Sequence, residues 1–145
     1  MDLTTLASQL ALELHRASRR EPAQAFCDWA LESLKAKLPF DSAFWASGHV
    51  SPQGVPVVHN VVLHRQPAQL LVDYQAIGPS DPVLAAALRQ PGQPLAADSR
   101  EWAPPQALPY LQHYGIAHTL ATTTVDPNTR LTTGISLYRS DPRHP

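Results

Sequence analysis

The side chains best suited to hold a small molecule in this sequence are one acid, several hydroxyls and two indoles. Asp81 accepts hydrogen bonds. Tyr74 and Tyr110 offer a phenol O–H, Trp45 and Trp102 an indole N–H, and Ser47 and Thr122 an aliphatic hydroxyl. Aromatic walls with a few orienting polar groups are the composition of a ligand cavity. Bond-making chemistry has no comparable set. The glycines are scattered, so neither a Gly-x-Ser-x-Gly elbow nor a phosphate loop is present. Cys27 has no motif histidine and reads as a small buried hydrophobe. Seven histidines occur without metal-ligand spacing. His59 and His64, five apart on an expected strand, point to opposite faces, and His113 and His118 straddle Gly115. His49 and His59 can approach each other across an expected hairpin, but bring no carboxylate with them. The expectation is a binding protein, not an enzyme, with no cofactor and no metal.

Several of these residues keep two readings. Asp81 immediately precedes Pro82, where a helix N-cap belongs, and its carboxylate is equally suited to a ligand. Trp45 and Tyr74 suit either a pocket wall or plain core. Trp102, near Pro104 and Pro105, suits either a lid or a plug. Thr119, Thr122, Thr123 and Thr124 follow from strand propensity, yet inward hydroxyls there would orient a polar group.

The elements that must position these groups follow from periodicity. Leu3, Leu6, Leu10 and Leu14 form an apolar stripe on a first helix, with Asp2 as N-cap and Arg16, Arg19 and Arg20 at its negative end. A second helix starts near Pro22, carries Phe26, Ala30 and Leu34, and ends before Pro39. Residues 42–50 and 55–65 predict a hairpin around Ser51-Pro52-Gln53-Gly54, with Phe44, Ala46 and Val50 on one face and Trp45, Ser47 and His49 on the other. Pro67 starts a third helix, closed by Gly78. A short helix over 82–89 precedes a proline-spaced loop, and a helix over 106–114 ends at Gly115. Strands over 116–125 and 130–139 flank Asp126-Pro127-Asn128-Thr129, a second hairpin. Two hairpins separated by helices predict an α+β fold, an antiparallel sheet with helices on its faces. The run of breakers between Tyr74 and Trp102 is the expected lid, since irregular backbone over a rigid sheet presents binding groups.

Composition bounds the rest. With 145 residues, 43% of them hydrophobic, the chain suffices for one domain, expected over 1–139, with Ser140–Pro145 a linker. A net charge of −1 leaves no footprint for nucleic acid. One cysteine, no signal-like N-terminus and no long apolar run lead to the expectation of a cytoplasmic protein without a membrane span.

Three segments carry a family resemblance: the opening helix pair leading into Phe40-Asp41-Ser42-Ala43-Phe44-Trp45; Tyr74 followed by Ser80-Asp81-Pro82-Val83; and Thr133-Gly134-Ile135-Ser136-Leu137-Tyr138-Arg139 ending in Asp141-Pro142. The chain resembles the N-terminal sensory domain of LuxR-type transcriptional regulators, a GAF- or PAS-like α-β-α sandwich. The resemblance implies a small-molecule sensor that dimerises and reaches DNA only through a C-terminal helix-turn-helix domain absent from this chain. In the acyl-homoserine-lactone branch, a Trp, a Tyr four residues later, an Asp nine residues after that and a downstream Trp hold the ligand. Asp81-Pro82-Val83 matches the Asp element. Val72 and Ala68 stand where that Tyr and first Trp would be, Tyr74 is two residues out of register, and Trp102 lies farther downstream. These departures imply a relative tuned to another ligand, held between the sheet and the segment Pro67–Tyr114. The alternative is a dimerisation module, its first-helix leucines pairing two copies and its cavity filled or vestigial.

Overall fold

The computed structural model describes residues 2–145, which form two compact units, Met1–Pro39 and Phe40–Pro145. The first unit is a helix pair, α1 (Leu3–Ser18) and α2 (Ala23–Lys35). Asp2 caps α1, its carboxylate accepting from the Thr5 amide at 2.8 Å. The leucine stripe of α1 leaves Leu3 82% exposed, and no residue of that helix is fully buried. On α2, Ala30 and Leu31 are buried.

The second unit holds an antiparallel five-stranded sheet in the order β2-β1-β5-β4-β3. Its strands are β1 (Ser42–Val50), β2 (Pro56–His64), β3 (Leu95–Asp98), β4 (His118–Val125) and β5 (Thr132–Arg139). Between β2 and β4 run α3 (Gln69–Ile77), a 3₁₀ turn (Gly78–Ser80), α4 (Pro82–Arg89), α5 (Ser99–Trp102) and α6 (Leu108–His113). Both expected hairpins are present: β1 pairs with β2 and β4 with β5, and β5 joins the hairpins through β1. The α+β expectation therefore holds.

Two parts of the expected loop are ordered elements. β3 pairs antiparallel with β4, Leu95 opposite Ala121 and Ala97 opposite Thr119. Its sequence, Leu-Ala-Ala-Asp after Pro94, has little strand propensity, and it forms because β4 offers it an open edge. Asp98 then caps α5 through the Arg100 amide at 2.8 Å. Gly78 differs from expectation as well. Its φ is −53°, so it is not a left-handed helix stop. Glycine is needed there because an added Cβ would lie 2.8 Å from the Tyr74 ring.

The register of β1 on β2 slips between Ser47 and Gly48. Ser47 pairs with Asn60 and Gly48 with Val58, leaving His59 as the extra residue of a β-bulge. An added Cβ on Gly48 would stand 2.0 Å from the Val57 carbonyl oxygen. The core beneath the helices centres on Leu70, Tyr114 and Ile116, with Leu63, Leu71, Leu111, Tyr110 and Tyr138 against it. The Gln66 side-chain amide donates to Ser42 Oγ at 2.8 Å and to the Tyr114 carbonyl at 2.9 Å, joining the hairpin to the end of α6. Asp41 accepts both the amide and the hydroxyl of Ser140 at 2.8 Å, closing β5 onto the start of β1.

Gly48→Ala should lower stability by about 3 kcal/mol, the upper range of overpacking, since the clash is with backbone that no rotamer relieves. Denaturant unfolding measures it, and an unchanged midpoint would show that the bulge does not require glycine.

Candidate functional site

Alternation along the strands puts Phe44, Ala46, Gly134, Ser136, Ala121 and Thr123 on one face of the sheet. Ala46 lies opposite Gly134, and Gly134 opposite Thr123. The middle of that face is made of small side chains. The segment Gln69–His113 arches over it, and a cavity of about 490 Å³ remains between them. Its walls are largely apolar: Leu70, Leu71 and Ile77 from α3, Val83, Leu84 and Ala87 from α4, Trp102 from α5, and Tyr110 and Leu111 from α6. That volume lies within the range of small-molecule sites.

Tyr74 and Asp81 form the polar end. Asp81 Oδ1 accepts the amides of Val83 at 2.9 Å and Leu84 at 3.3 Å, capping α4. Its Oδ2 accepts the Tyr74 phenol at 2.5 Å. One carboxylate thus starts α4 and fixes the last turn of α3, and Gly78 leaves the room that lets the Tyr74 ring reach it. Burial and the neighbouring Asp81 charge push the Tyr74 phenol far above its ordinary value, so it acts as a donor and not as a base.

Two more phenols hold the helices over the cavity. Tyr110 donates to the Leu70 carbonyl at 3.1 Å, and Tyr114 to Asp73 Oδ2 at 2.5 Å. Asp73 is also bound by the Gln69 side-chain amide at 2.8 Å. The Tyr114 bond, then Gln69, lowers the Asp73 carboxyl below its ordinary value, and the same Tyr114–Asp73 bond raises the phenol to about 12. The ring centres of Tyr110 lie 6.2 Å from Tyr74 and 4.8 Å from Tyr114, so the three form a continuous aromatic row.

Of the residues singled out from sequence, Ser47, Tyr74, Asp81, Trp102, Tyr110 and Thr122 border the cavity. Trp45 does not. It pairs with Val62 and Ile135 on the pleat opposite Phe44 and Ala46, and it is these two that face the hollow. Ser47 reaches the border at the register slip, its hydroxyl accepting from Asn60 Nδ2 at 3.5 Å. Thr122 pairs with Ile135, out of phase with Ala121 and Thr123. On the cavity face β4 presents Thr119 and Thr123, and the Thr123 hydroxyl is buried and already donates to the Ala87 carbonyl at 2.7 Å. Sequence reasoning missed Phe44, Ala46, Ala121 and Tyr138. Strand alternation groups them by face, but an assigned cavity face is required before they stand out.

No protein-family model matches the chain, and no curated protein matches it by sequence. Solved structures share its fold. The LuxR family transcription factor CepR2 of Burkholderia cenocepacia, named as dependent on N-acylhomoserine lactone, aligns with a TM-score of 0.73 at 16% identity, over 94% of this chain and 79% of its own. Escherichia coli SdiA aligns with a TM-score of 0.73 at 20% identity, over 97% of this chain and 58% of its own. SdiA in complex with octanoyl-rac-glycerol gives a TM-score of 0.74 at 21% identity, over 100% of this chain and 59% of its own. The chain thus has the fold of these LuxR-type regulators and spans less than two thirds of either SdiA chain. No described helix is long and apolar enough to cross a membrane.

All four tyrosines, Tyr74, Tyr110, Tyr114 and Tyr138, are held above the ordinary phenol value, three of them first by burial and Tyr114 first by Asp73. A phenol whose folded value is raised contributes stability that is fully present below the unfolded value near 10 and lost as pH rises through the folded one. The fold should therefore weaken above pH 10, with Tyr114 ionising at about 12. Tyrosinate absorbance should stay near its neutral level at pH 10 in folded protein and rise on adding urea. Half-ionised phenols in the folded protein at that pH would refute the packing described.

Proposed function

We propose that residues 1–139 are the small-molecule-sensing domain of a cytoplasmic bacterial regulator of the LuxR type, and that its ligand lies between the sheet and the segment Pro67–Tyr114. The observation that carries this reading is the apolar cavity of about 490 Å³ with the Tyr74–Asp81 pair at its polar end. The names of CepR2 and of the SdiA complex, one tied to an acylated lactone and the other to an acylated glycerol, support an acyl-bearing ligand. Among the described residues bordering the cavity there is no Lys or Arg, while Asp81 brings a carboxylate. A free acid would face that charge with no Lys or Arg to pair with. The ligand in this reading is neutral, with an apolar body and a hydrogen-bond donor for Asp81. Val72 and Ala68, where lactone receptors have Tyr and Trp, favour a head group other than the homoserine lactone. Tyr74, Asp81, Trp102 and Tyr110 are the contacts of first choice, Ser47 and Thr122 the rim.

The function in this reading is binding: Tyr74, Asp81, Tyr110 and Thr123 are already engaged with one another and with backbone. The mechanism is linkage. A ligand preferring one arrangement of α3 and α4 over the sheet shifts the population presented to a DNA-binding domain following Ser140–Pro145.

Neutral octanoyl compounds, octanoyl glycerol and N-octanoyl homoserine lactone, should stabilise the protein against heat, and octanoate should not. A hundredfold excess over Kd corresponds to about 2.7 kcal/mol. Ala46→Phe, which fills the hollow, should keep the fold and abolish the shift. Asp81→Ala should cost about 1 kcal/mol without ligand, from the lost cap, and reduce the ligand-dependent part besides. Equal stabilisation of wild type and Ala46→Phe would move the ligand out of this cavity.

A second observation concerns assembly. Leu3 of the stripe is exposed, Leu6, Leu10 and Leu14 are only half-buried, and α1 buries nothing fully, which supports a homodimer formed through that face of the helix. Light scattering at tens of micromolar should give the dimer mass, and Leu6→Glu with Leu10→Glu the monomer mass. A monomer in both would remove α1 as an interface.

A further inference from the structure

We propose that His49 and His59 form a two-imidazole chelate for a late first-row divalent cation, copper(II) above the others, and that the bulge in the first hairpin exists in this chain to build it. His49 Nδ1 and His59 Nε2 lie 2.7 Å apart, with the rings nearly parallel and their centres at 4.9 Å. Both residues are exposed. In an unbroken register, continuing from Ala46 opposite Val61 and Ser47 opposite Asn60, Gly48 would face His59 and His49 would face Val58. Strand alternation would then put the two imidazoles on opposite faces of the sheet. The extra residue changes that. Gly48 pairs with Val58, His49 with Val57, and His59 is released from the ladder onto the side of His49. Only glycine fits at position 48, because the displaced Val57 carbonyl occupies the place of a Cβ. Glycine, extra residue and histidine pair are one arrangement.

The cation follows from affinity. Imidazole is a good ligand for both copper(II) and zinc(II), and the order of intrinsic affinities puts copper(II) first. In the metal-free pair the two nitrogens face each other in a hydrogen bond of 2.7 Å, and the exposed rings turn so that both lone pairs meet the ion. Without metal, one ring donates its N–H to the bare nitrogen of the other. On binding, that ring shifts its proton to its far nitrogen, both facing nitrogens give a lone pair, and no net proton is lost. Two sites on the ion remain for water or an exchangeable ligand. Its effect on the fold would be to pin β1 to the edge strand β2 at the bulge.

The test is calorimetric titration of the untagged chain, in a Cys27→Ser background, with copper(II) in a non-coordinating buffer. One equivalent should bind at this pair, and electron spin resonance should show coupling to two equivalent imidazole nitrogens. His49→Gln and His59→Gln should each weaken binding about a hundredfold, the value of making the second bond intramolecular. The double variant should lose the site altogether, since each single one still offers one monodentate imidazole. Both side chains are exposed, and circular dichroism should report an unchanged fold. As a second measurement, substoichiometric zinc(II) added to the wild-type protein should move the ring nitrogen resonances of His49 and His59 together. Single substitutions that leave affinity unchanged, or ring signals that stay fixed while another histidine responds, would overturn the proposal.

Discussion

The second unit depends on a single carboxylate with no idle oxygen. Asp81 spends Oδ1 on the first amides of α4 and Oδ2 on the Tyr74 phenol at the end of α3. Helix α4 is short, and its first-turn amides need an acceptor to form a stable end. Helix α3 ends in a 3₁₀ turn instead of a left-handed stop, so its direction depends on what holds its last residues. Without Asp81, α4 loses its cap, α3 loses the clasp at its last turn, and the cavity loses its polar end.

The hollow itself is a matter of volume. Interiors normally fill to crystal-like density, so an open space of this size must be built. Here the sheet builds it: Ala46, Gly134, Ala121 and Ala97 put the smallest side chains under the middle of α3 and α4. The helices cannot sink into the gap, because they are held from the side. Thr123 fixes the Ala87 carbonyl of α4, and Tyr110 and Tyr114 fix the Leu70 carbonyl and Asp73 of α3. Small residues below and hydrogen-bonded struts at the edges keep an apolar space open.

Much of this was legible in the residues, and the failures are specific. The hairpins showed as strand-rich runs around turn residues, and Asp81-Pro82 announced a capped helix whose cap is present. Tyr74 was seen as out of register with a known binding pattern, and yet its ring reaches Asp81, because a 3₁₀ turn and Gly78 shorten the path between them. Trp45 was singled out as an aromatic with an orienting N–H, and Phe44 was placed on the other face. Alternation separated the two correctly, but nothing in a strand's own sequence says which face looks onto a cavity. β3 was invisible, since Ala-Ala carries no strand signal and only the free edge of β4 recruits it. The bulge was invisible too: Val57, Val58, Asn60 and Val61 read as an unbroken strand, and only the meeting of two chains shows the extra residue.

If the chain senses a ligand as proposed, the same bonds that hold the cavity open decide how it would signal. Helix α3 is clasped at three places: Leu70 by Tyr110, Asp73 by Tyr114, and Tyr74 by Asp81. Only the last of these lies at the cavity's polar end. A ligand donor that takes Asp81 Oδ2 competes with the Tyr74 phenol for it, and the stronger its bond the more it loosens the phenol. The phenol stays protonated at any physiological pH and is largely buried, so it cannot be left bare; it must turn to a ligand acceptor or carry the end of α3 toward a new partner. The Asp81 cap on α4 is made through the other oxygen and survives the exchange. Binding would therefore move the end of α3 relative to a fixed α4, a displacement set by one hydrogen bond changing hands, and this gives the population shift required of a sensor a definite hinge.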